Sequence, residues 1–206
     1  RIAAVAVLTL LAVAPGQARD IDGVKIPDSL SLAGEKKPLV LNGAECEPLL
    51  HKDAELMAHF PAEVLSGLRL MMEATGAARG KFGIKAKNAA AVNAIQSRIG
   101  EASIDMVILG DFYPSGDEFE LVPAATGRLI PPAGIPLNVG VVVNNVETFV
   151  NVAAAAEGKP VTHKTLTIAG AVNSPVTLCV PLGATYRDCL AAAGGLATDD
   201  PVLVIG

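Results

Sequence analysis

Between Leu39 and Ala156, short apolar runs alternate with stretches of helical periodicity, and no other feature of the sequence restricts the fold as strongly. Leu39-Val40-Leu41 is a buried-strand run that leads into an Asn42-Gly43 turn. Asp53 is placed to cap a helix continuing through Leu56, Met57, Phe60, Val64, Leu65, Leu68, Leu70 and Met71 to a stop at Gly76. Pro61 lies inside that span and predicts a break between two helices. Lys81 to Ala86 reads as a second strand. Asn88 to Ile99 reads as a helix with Ala91, Val92, Ile95 and Ile99 on one face, and Ile104 to Leu109 as a third strand. Phe112 to Gly140 reads as an irregular connection containing Pro114, Gly116, Pro131, Pro132, Gly134 and Pro136, and connections of that length often carry function. Val141-Val142-Val143 then passes through Asn144-Asn145 into a helix from about Val146 to Ala156. The β-α-β-α-β order predicts a layered, Rossmann-like α/β domain with parallel strands.

Glu157-Gly158-Lys159-Pro160 reads as a linker, and the pattern changes behind it. Thr165 to Gly170 and Val176 to Val180 alternate as strands do, with Asn173-Ser174-Pro175 as the turn between them. Thr185 is placed to cap a short helix through Leu190 to Ala193, stopped by Gly194-Gly195, and a last strand runs through Val204-Ile205-Gly206. Strand, strand, helix, strand describes a small β-grasp (α+β) unit. The expected division is 1–35 as an apolar segment with a loop, 36–158 as the α/β domain and 161–206 as the β-grasp domain.

Composition narrows the function. Apolar residues make up 51% of the 206, enough for a sizeable core. A net charge of −5 argues against a nucleic-acid partner, because phosphate backbones need clustered Lys and Arg. Cys46, Cys179 and Cys189 form no C-x-x-C pair, so neither a disulfide framework nor a metal site is read from them, and a reducing compartment fits. His51, His59 and His163 have no metal-ligand spacing and no G-x-S-x-G companion, which argues against a hydrolase. Lys85 and Lys87 could steer an anionic nucleotide, although two lysines flanking a strand are usually solvated.

The first residues admit two readings. Arg1, the apolar run Ile2 to Pro15 and the exit Gly16-Gln17-Ala18-Arg19 follow the pattern of an export signal. The alternative is a buried helix of a cytoplasmic fold. The run is shorter than the roughly 20 residues that a membrane-spanning helix needs.

Polar groups gather at three strand ends: Asn42-Gly43-Ala44-Glu45-Cys46-Glu47-Pro48, Tyr113-Pro114-Ser115-Gly116-Asp117-Glu118, and Asn144-Asn145-Val146-Glu147-Thr148. Ligands of α/β sheets bind outside the carboxyl ends of strands. Taken singly, Glu45 and Glu47 also fit a solvated turn, Asp117 and Glu118 the N-terminus of a helix, and Asn144 or Asn145 an N-cap.

These three segments, with Thr126-Gly127-Arg128 to Gly140 and Val141 to Val150, resemble the flavin/NADH subunit of respiratory complex I and its relatives. Among those relatives are the C subunit of the Rnf-type ferredoxin:NAD oxidoreductase and the cobalamin reductase of propanediol microcompartments. The resemblance covers about residues 25 to 206, the last part being similar to the soluble-ligand-binding β-grasp module. It implies FMN against the sheet and NADH over it. Asn42, Glu45, Asn144, Asn145 and Thr148 are then expected on the flavin, and Tyr113 and Gly116 beside the cofactors. Glu47, Asp117 and Glu118 are expected on the flavin or nicotinamide side, where the chemistry occurs. No metal ligand is expected, since the 4Fe-4S clusters of the relatives lie in a cysteine-rich region this sequence does not contain. The implied partners are a nicotinamide dinucleotide and other subunits of a membrane-associated or microcompartment complex. The implied location is the cytoplasm or the inner face of a membrane. The family's glycine-rich flavin loop is replaced here by Asp22-Gly23-Val24-Lys25-Ile26-Pro27-Asp28. That departure motivates an alternative, a cofactor-less scaffold or binding module within an electron-transfer complex.

Overall fold

Leu39, Val40 and Leu41 are all fully buried, which requires a strand covered on both faces. The computed structural model, which describes residues 38–100 and 103–205, provides both covers. Strands β1 (Leu39–Gly43), β2 (Gly80–Lys85), β3 (Ile104–Leu109) and β4 (Val142–Asn145) form one sheet in the order β3-β2-β1-β4. Every pairing in it is parallel, with Leu41 opposite Phe82 on one side and Asn144 on the other. Successive side chains of a strand face opposite ways. Leu39 and Leu41 therefore join Phe82 and Ile84 beneath helices α1 (Lys52–His59), α2 (Pro61–Thr75), α3 (Ala89–Gln96) and α5 (Val146–Ala156). Val40 joins Leu109 and Val141 on the other face, beneath α4 (Glu118–Thr126). The expected layered α/β architecture is present.

Local boundaries follow from local chemistry. The break at Pro61 is real, with Pro61 opening α2 where its missing N–H costs nothing. Gly76 ends α2 at φ 67°, in the left-handed region. Two expectations are corrected. Asp53 does not cap α1: His51 holds that position, and the Asp53 carboxylate is taken by Lys52 and Asn145 instead. The connection Phe112 to Gly140 is less irregular than its composition suggests, since it contains α4 and a 3-10 turn at Pro136–Val139. Pro123 inside α4 hides the helical pattern. The Asp117 cap and the buried Leu121, Val122 and Ala125 nevertheless hold that helix on the sheet.

The second unit pairs β5 (His163–Ile168) antiparallel with β6 (Val176–Pro181) and adds α6 (Tyr186–Ala192), opened by a reciprocal Thr185–Asp188 capping box. The strand expected near Val204 is not formed over 201–205, where Val202 is 89% exposed and no strand among the described residues offers a ladder. The two units touch through Glu147. Its buried carboxylate accepts from the Thr165 N–H at 2.9 Å and pairs with the Lys164 ammonium. His51 N–H adds a bond to Thr167 Oγ1 at 3.2 Å. The apolar run Ile2 to Pro15 and the Asp22 to Asp28 loop lie outside the described residues.

Candidate functional site

In a doubly wound sheet the connections reverse direction at one pair of strands, and the crevice there is the natural ligand site. The order β3-β2-β1-β4 puts that reversal between β1 and β4. Asn42 ends β1 and Asn145 ends β4, and the register places them side by side. A cleft of about 150 Å³ opens above them, lined by Asn42, Glu45, Cys46, Glu47, Lys52, Asp53, Gly116 and Asn145.

The side chains around this cleft fix one another. Asn42 accepts from the Ala44 N–H at 3.1 Å and donates to the Gly116 carbonyl at 2.8 Å, so β1 is tied to the loop before α4. Gly116 fits because the approach is close: a Cβ there would stand 3.0 Å from the Cβ of Ala44. Asn145 caps α5 by accepting from the Glu147 N–H at 3.0 Å and donates to Asp53 at 2.7 Å. Lys52 bonds Asp53 at 2.6 Å and lies 3.7 Å from Glu147. Burial pulls the Lys52 ammonium down, but the carboxylates of Asp53, Glu147 and Glu45 together more than reverse this and raise its pKa. The same Glu147 anchors the second unit, so the β-grasp module and the cleft share one charged network.

Glu45 carries the strain. It sits at φ 38°, a region that residues other than glycine seldom occupy. Its carboxylate accepts from the Asp53 N–H at 3.2 Å, and burial, then the Asp53 carboxylate, raises its pKa above the usual carboxylate value. A group bound more tightly to its proton in the fold than in the unfolded chain lowers stability as pH rises. Glu45 therefore weakens the fold progressively as pH climbs from the ordinary carboxylate range through its own raised pKa. Glu45→Gln is expected to flatten that part of the stability–pH profile, measured by urea melts across the acid range. An unchanged profile would show that the carboxylate is not under this stress. Retaining an ill-favoured carboxylate here is what a functional site does at the expense of stability.

A second cleft, of about 210 Å³, adjoins the first through Glu45, Cys46 and Glu47. Tyr113 and Phe112 line it, together with Lys85, Lys87, Asn88 and Asp111. Of the residues expected from sequence, Asn42, Glu45, Glu47, Gly116 and Asn145 thus come together at the switch point, with Tyr113 in the neighbouring cleft. Asn144 sits within β4 opposite Leu41, and Thr148 lies in the first turn of α5; neither lines a cleft. Asp117 and Glu118 are exposed at the start of α4, and the Asp117 carboxylate accepts from the Phe119 N–H at 2.8 Å as a cap. Sequence reading gave no site role to Lys52, Asp53 or the buried Ser115, whose hydroxyl finds no partner among the described residues. For Lys52 and Asp53, the one available signal was that they follow the Glu45-Cys46-Glu47 cluster by a few residues.

The donor set suits a polyhydroxylated, ring-bearing group. Carboxylates accept from hydroxyls, Asn side chains serve both ways, and the α5 N-terminus favours an anion. Among the described residues no three His, Cys, Asp or Glu side chains gather as a metal site.

Comparison with known proteins agrees with this geometry. A family model described as the Nuo51 FMN-binding domain matches residues 22–154, and one for the SLBB domain matches 165–203. The chain is 44% identical over 185 residues to the cobalamin reductase PduS of Citrobacter freundii, covering 89% of this chain and 41% of that protein. It is 33% identical over 193 residues to the C subunit of the Na(+)-translocating ferredoxin:NAD(+) oxidoreductase complex of Acetobacterium woodii, covering 90% and 44%. The chain therefore spans about two fifths of the length of these relatives. A crystal structure of NAD+-reducing [NiFe]-hydrogenase in the H2-reduced state shares the fold at a TM-score of 0.65 and 22% identity, over 95% of this chain and 39% of that one.

Proposed function

The chain belongs to the family of the Nuo51 FMN-binding domain, and on that premise we propose that it is the flavin-holding part of an electron-transfer oxidoreductase fed by a reduced nicotinamide dinucleotide. The observation that carries this reading is the polar cleft at the β1/β4 switch point, with its interlocked Asn42, Glu45, Asp53 and Asn145. Bound there, FMN would supply a ring that accepts a hydride and releases electrons singly. The chain's own residues bind and orient. Asn42 and Asn145 offer amides to the ring edge and ribityl chain, and Glu45 accepts from hydroxyls. The first turn of α5, with Asn144 before it and Thr148 within it, favours the phosphate. Glu47 stands where the two clefts meet, where it would face a bound flavin or nicotinamide ring. Asp117 acts through its cap, which fixes the Gly116 loop, and the exposed Glu118 beside it would meet the nicotinamide.

The linker at 157–160 supports a division into an α/β domain over 36–158 and an SLBB domain from 161. The onward acceptor is proposed to be an iron–sulfur cluster on another part of the assembly, and the partners to be further subunits of an electron-transfer complex. Among the described residues no helix is long and apolar enough to cross a membrane. A peripheral position on the cytoplasmic side is proposed.

The test is reduction of bound flavin. FMN-loaded chain mixed anaerobically with NADH is expected to lose its visible flavin absorbance within the mixing experiment. Bound flavin that stays oxidised under excess NADH would contradict the reading. One observation favours the scaffold alternative: the cleft's polar groups already satisfy one another. A chain that retains no FMN at all would support it.

A further inference from the structure

We infer that Lys164, on the second unit, is a positioning residue for the switch-point cleft: by occupying Glu147 it keeps Lys52 on Asp53 and so holds the Asn145 amide in place. That the wall held in this way is a flavin wall rests on the function proposed above.

Glu147 lies in the first turn of α5 and is 5% exposed. A carboxylate buried to that degree demands a cation. Its two oxygens have different tasks. Oε1 accepts from the Thr165 N–H at 2.9 Å, which joins the two units through backbone. Oε2 is contested. The Lys164 ammonium bonds it, while the Lys52 ammonium stands 3.7 Å away, beyond a hydrogen bond. Lys52 instead bonds Asp53 Oδ1 at 2.6 Å, and the other oxygen of that carboxylate accepts from Asn145 at 2.7 Å. Asp53 is itself 3% exposed. One ammonium group therefore has two buried carboxylates within reach, and which of them it bonds depends on what else serves Glu147.

Lys164 settles that choice from outside the cleft. It stands on β5, in the second unit, and does not line the cleft itself. Without it, Glu147 is a buried charge with Lys52 as the ammonium at hand. Solvent screens that attraction weakly, because Glu147 is buried and the Lys52 side chain is only 20% exposed. The flexible stem of Lys52 lets its ammonium swing the short distance to Oε2. Asp53 then loses its cation, and the Asn145 amide loses a fixed acceptor on the cleft wall. The effect runs entirely through the charge on Glu147. Neutralising Glu147 removes the pull on Lys52 and makes Lys164 dispensable to the cleft, which an ordinary packing role for Lys164 does not predict.

The experiment follows the Asn145 side-chain amide by two-dimensional proton–nitrogen NMR of the full chain without flavin, the signal being identified by its absence in Asn145→Ala. Lys164→Met is expected to shift that signal, although the substitution lies on the other unit. Glu147→Gln added to Lys164→Met keeps the acceptor for the Thr165 N–H and is expected to return the signal to its place. Lys159→Ala, which removes an exposed lysine from the linker, is expected to leave it unmoved. A parallel fluorescence titration with FMN is expected to show binding weakened roughly three- to tenfold by Lys164→Met, the scale of one displaced hydrogen bond, and restored to within about twofold by the added Glu147→Gln. The inference is overturned by an Asn145 signal that stays in place in Lys164→Met, or by one that is displaced equally with and without Glu147→Gln. A signal that shifts and is restored in a chain that binds no FMN supports the positioning role and sinks only the flavin reading.

Discussion

Gly67→Ala is expected to lower the melting temperature by roughly 6–12 °C, the consequence of about 3 kcal/mol of overpacking in a chain of this size. Gly67 lies in α2 where that helix crosses α5, and a Cβ there would stand 1.9 Å from the Phe149 carbonyl oxygen and 2.8 Å from its Cα. The obstacle is backbone on both sides, so no rotamer change relieves it. The whole crossing has to open. Alanine's better helix propensity, about 1 kcal/mol, offsets only part of that cost. The effect reaches the site, because α5 begins at Asn145 and any shift of the helix moves that amide away from Asp53. Thermal melts followed by circular dichroism measure it. A melting temperature equal to or above that of the unaltered chain would mean that the two helices do not approach this closely.

The contrast between Gly67 and the strand-end motifs shows what the sequence discloses. The strands β1 and β3, the Pro61 break and the Gly76 stop were legible because each depends on local chemistry: apolar runs, a missing N–H, a left-handed residue. Clustering of polar residues after apolar runs likewise pointed to the Asn42 to Glu47 and Asn145 region. Helix α4 was legible only at its start, where Asp117 and Glu118 fit a helix N-terminus; Pro123 interrupts the rest of its pattern, which packing of Leu121 and Val122 on the sheet secures. Lys85 was read as more often solvated than anion-steering, and the structure buries it. Its burial depends on the loop after β3 folding over the end of β2, a contact between segments some 25 residues apart in sequence that no local pattern announces. Gly67 carries no signal either, since one glycine in a helix says nothing about what crosses it. The charged link from Lys52 through Glu147 to Lys164 is of the same kind, assembled from three elements by the fold.

Glu45→Ala combined with Asn145→Ala is expected to weaken FMN at least about 100-fold. Hydrogen bonds involving a charged group contribute roughly 1.5–3 kcal/mol each, and each 1.4 kcal/mol is tenfold in affinity. Glu45 supplies the charged acceptor of the cleft and Asn145 its amide beside β1. Asn145→Ala also removes the α5 cap, at about 1 kcal/mol of stability, so calorimetric titration is paired with a melt to confirm that the double variant is folded. Glu55→Ala, which deletes an equal charge on the exposed face of α1 beside His59, serves as the comparison and is expected to bind FMN as the unaltered chain does. A loss of less than about threefold in the folded double variant would place the flavin elsewhere.

The most direct measurement of the central claim is a fluorescence titration of FMN with the unaltered chain. A flavin seated at the β1/β4 switch point predicts quenching that saturates at one FMN per chain. Flavin fluorescence that shows no saturable change up to roughly tens of micromolar, on the scale where affinities weaker than about 6 kcal/mol fail to register, would contradict it.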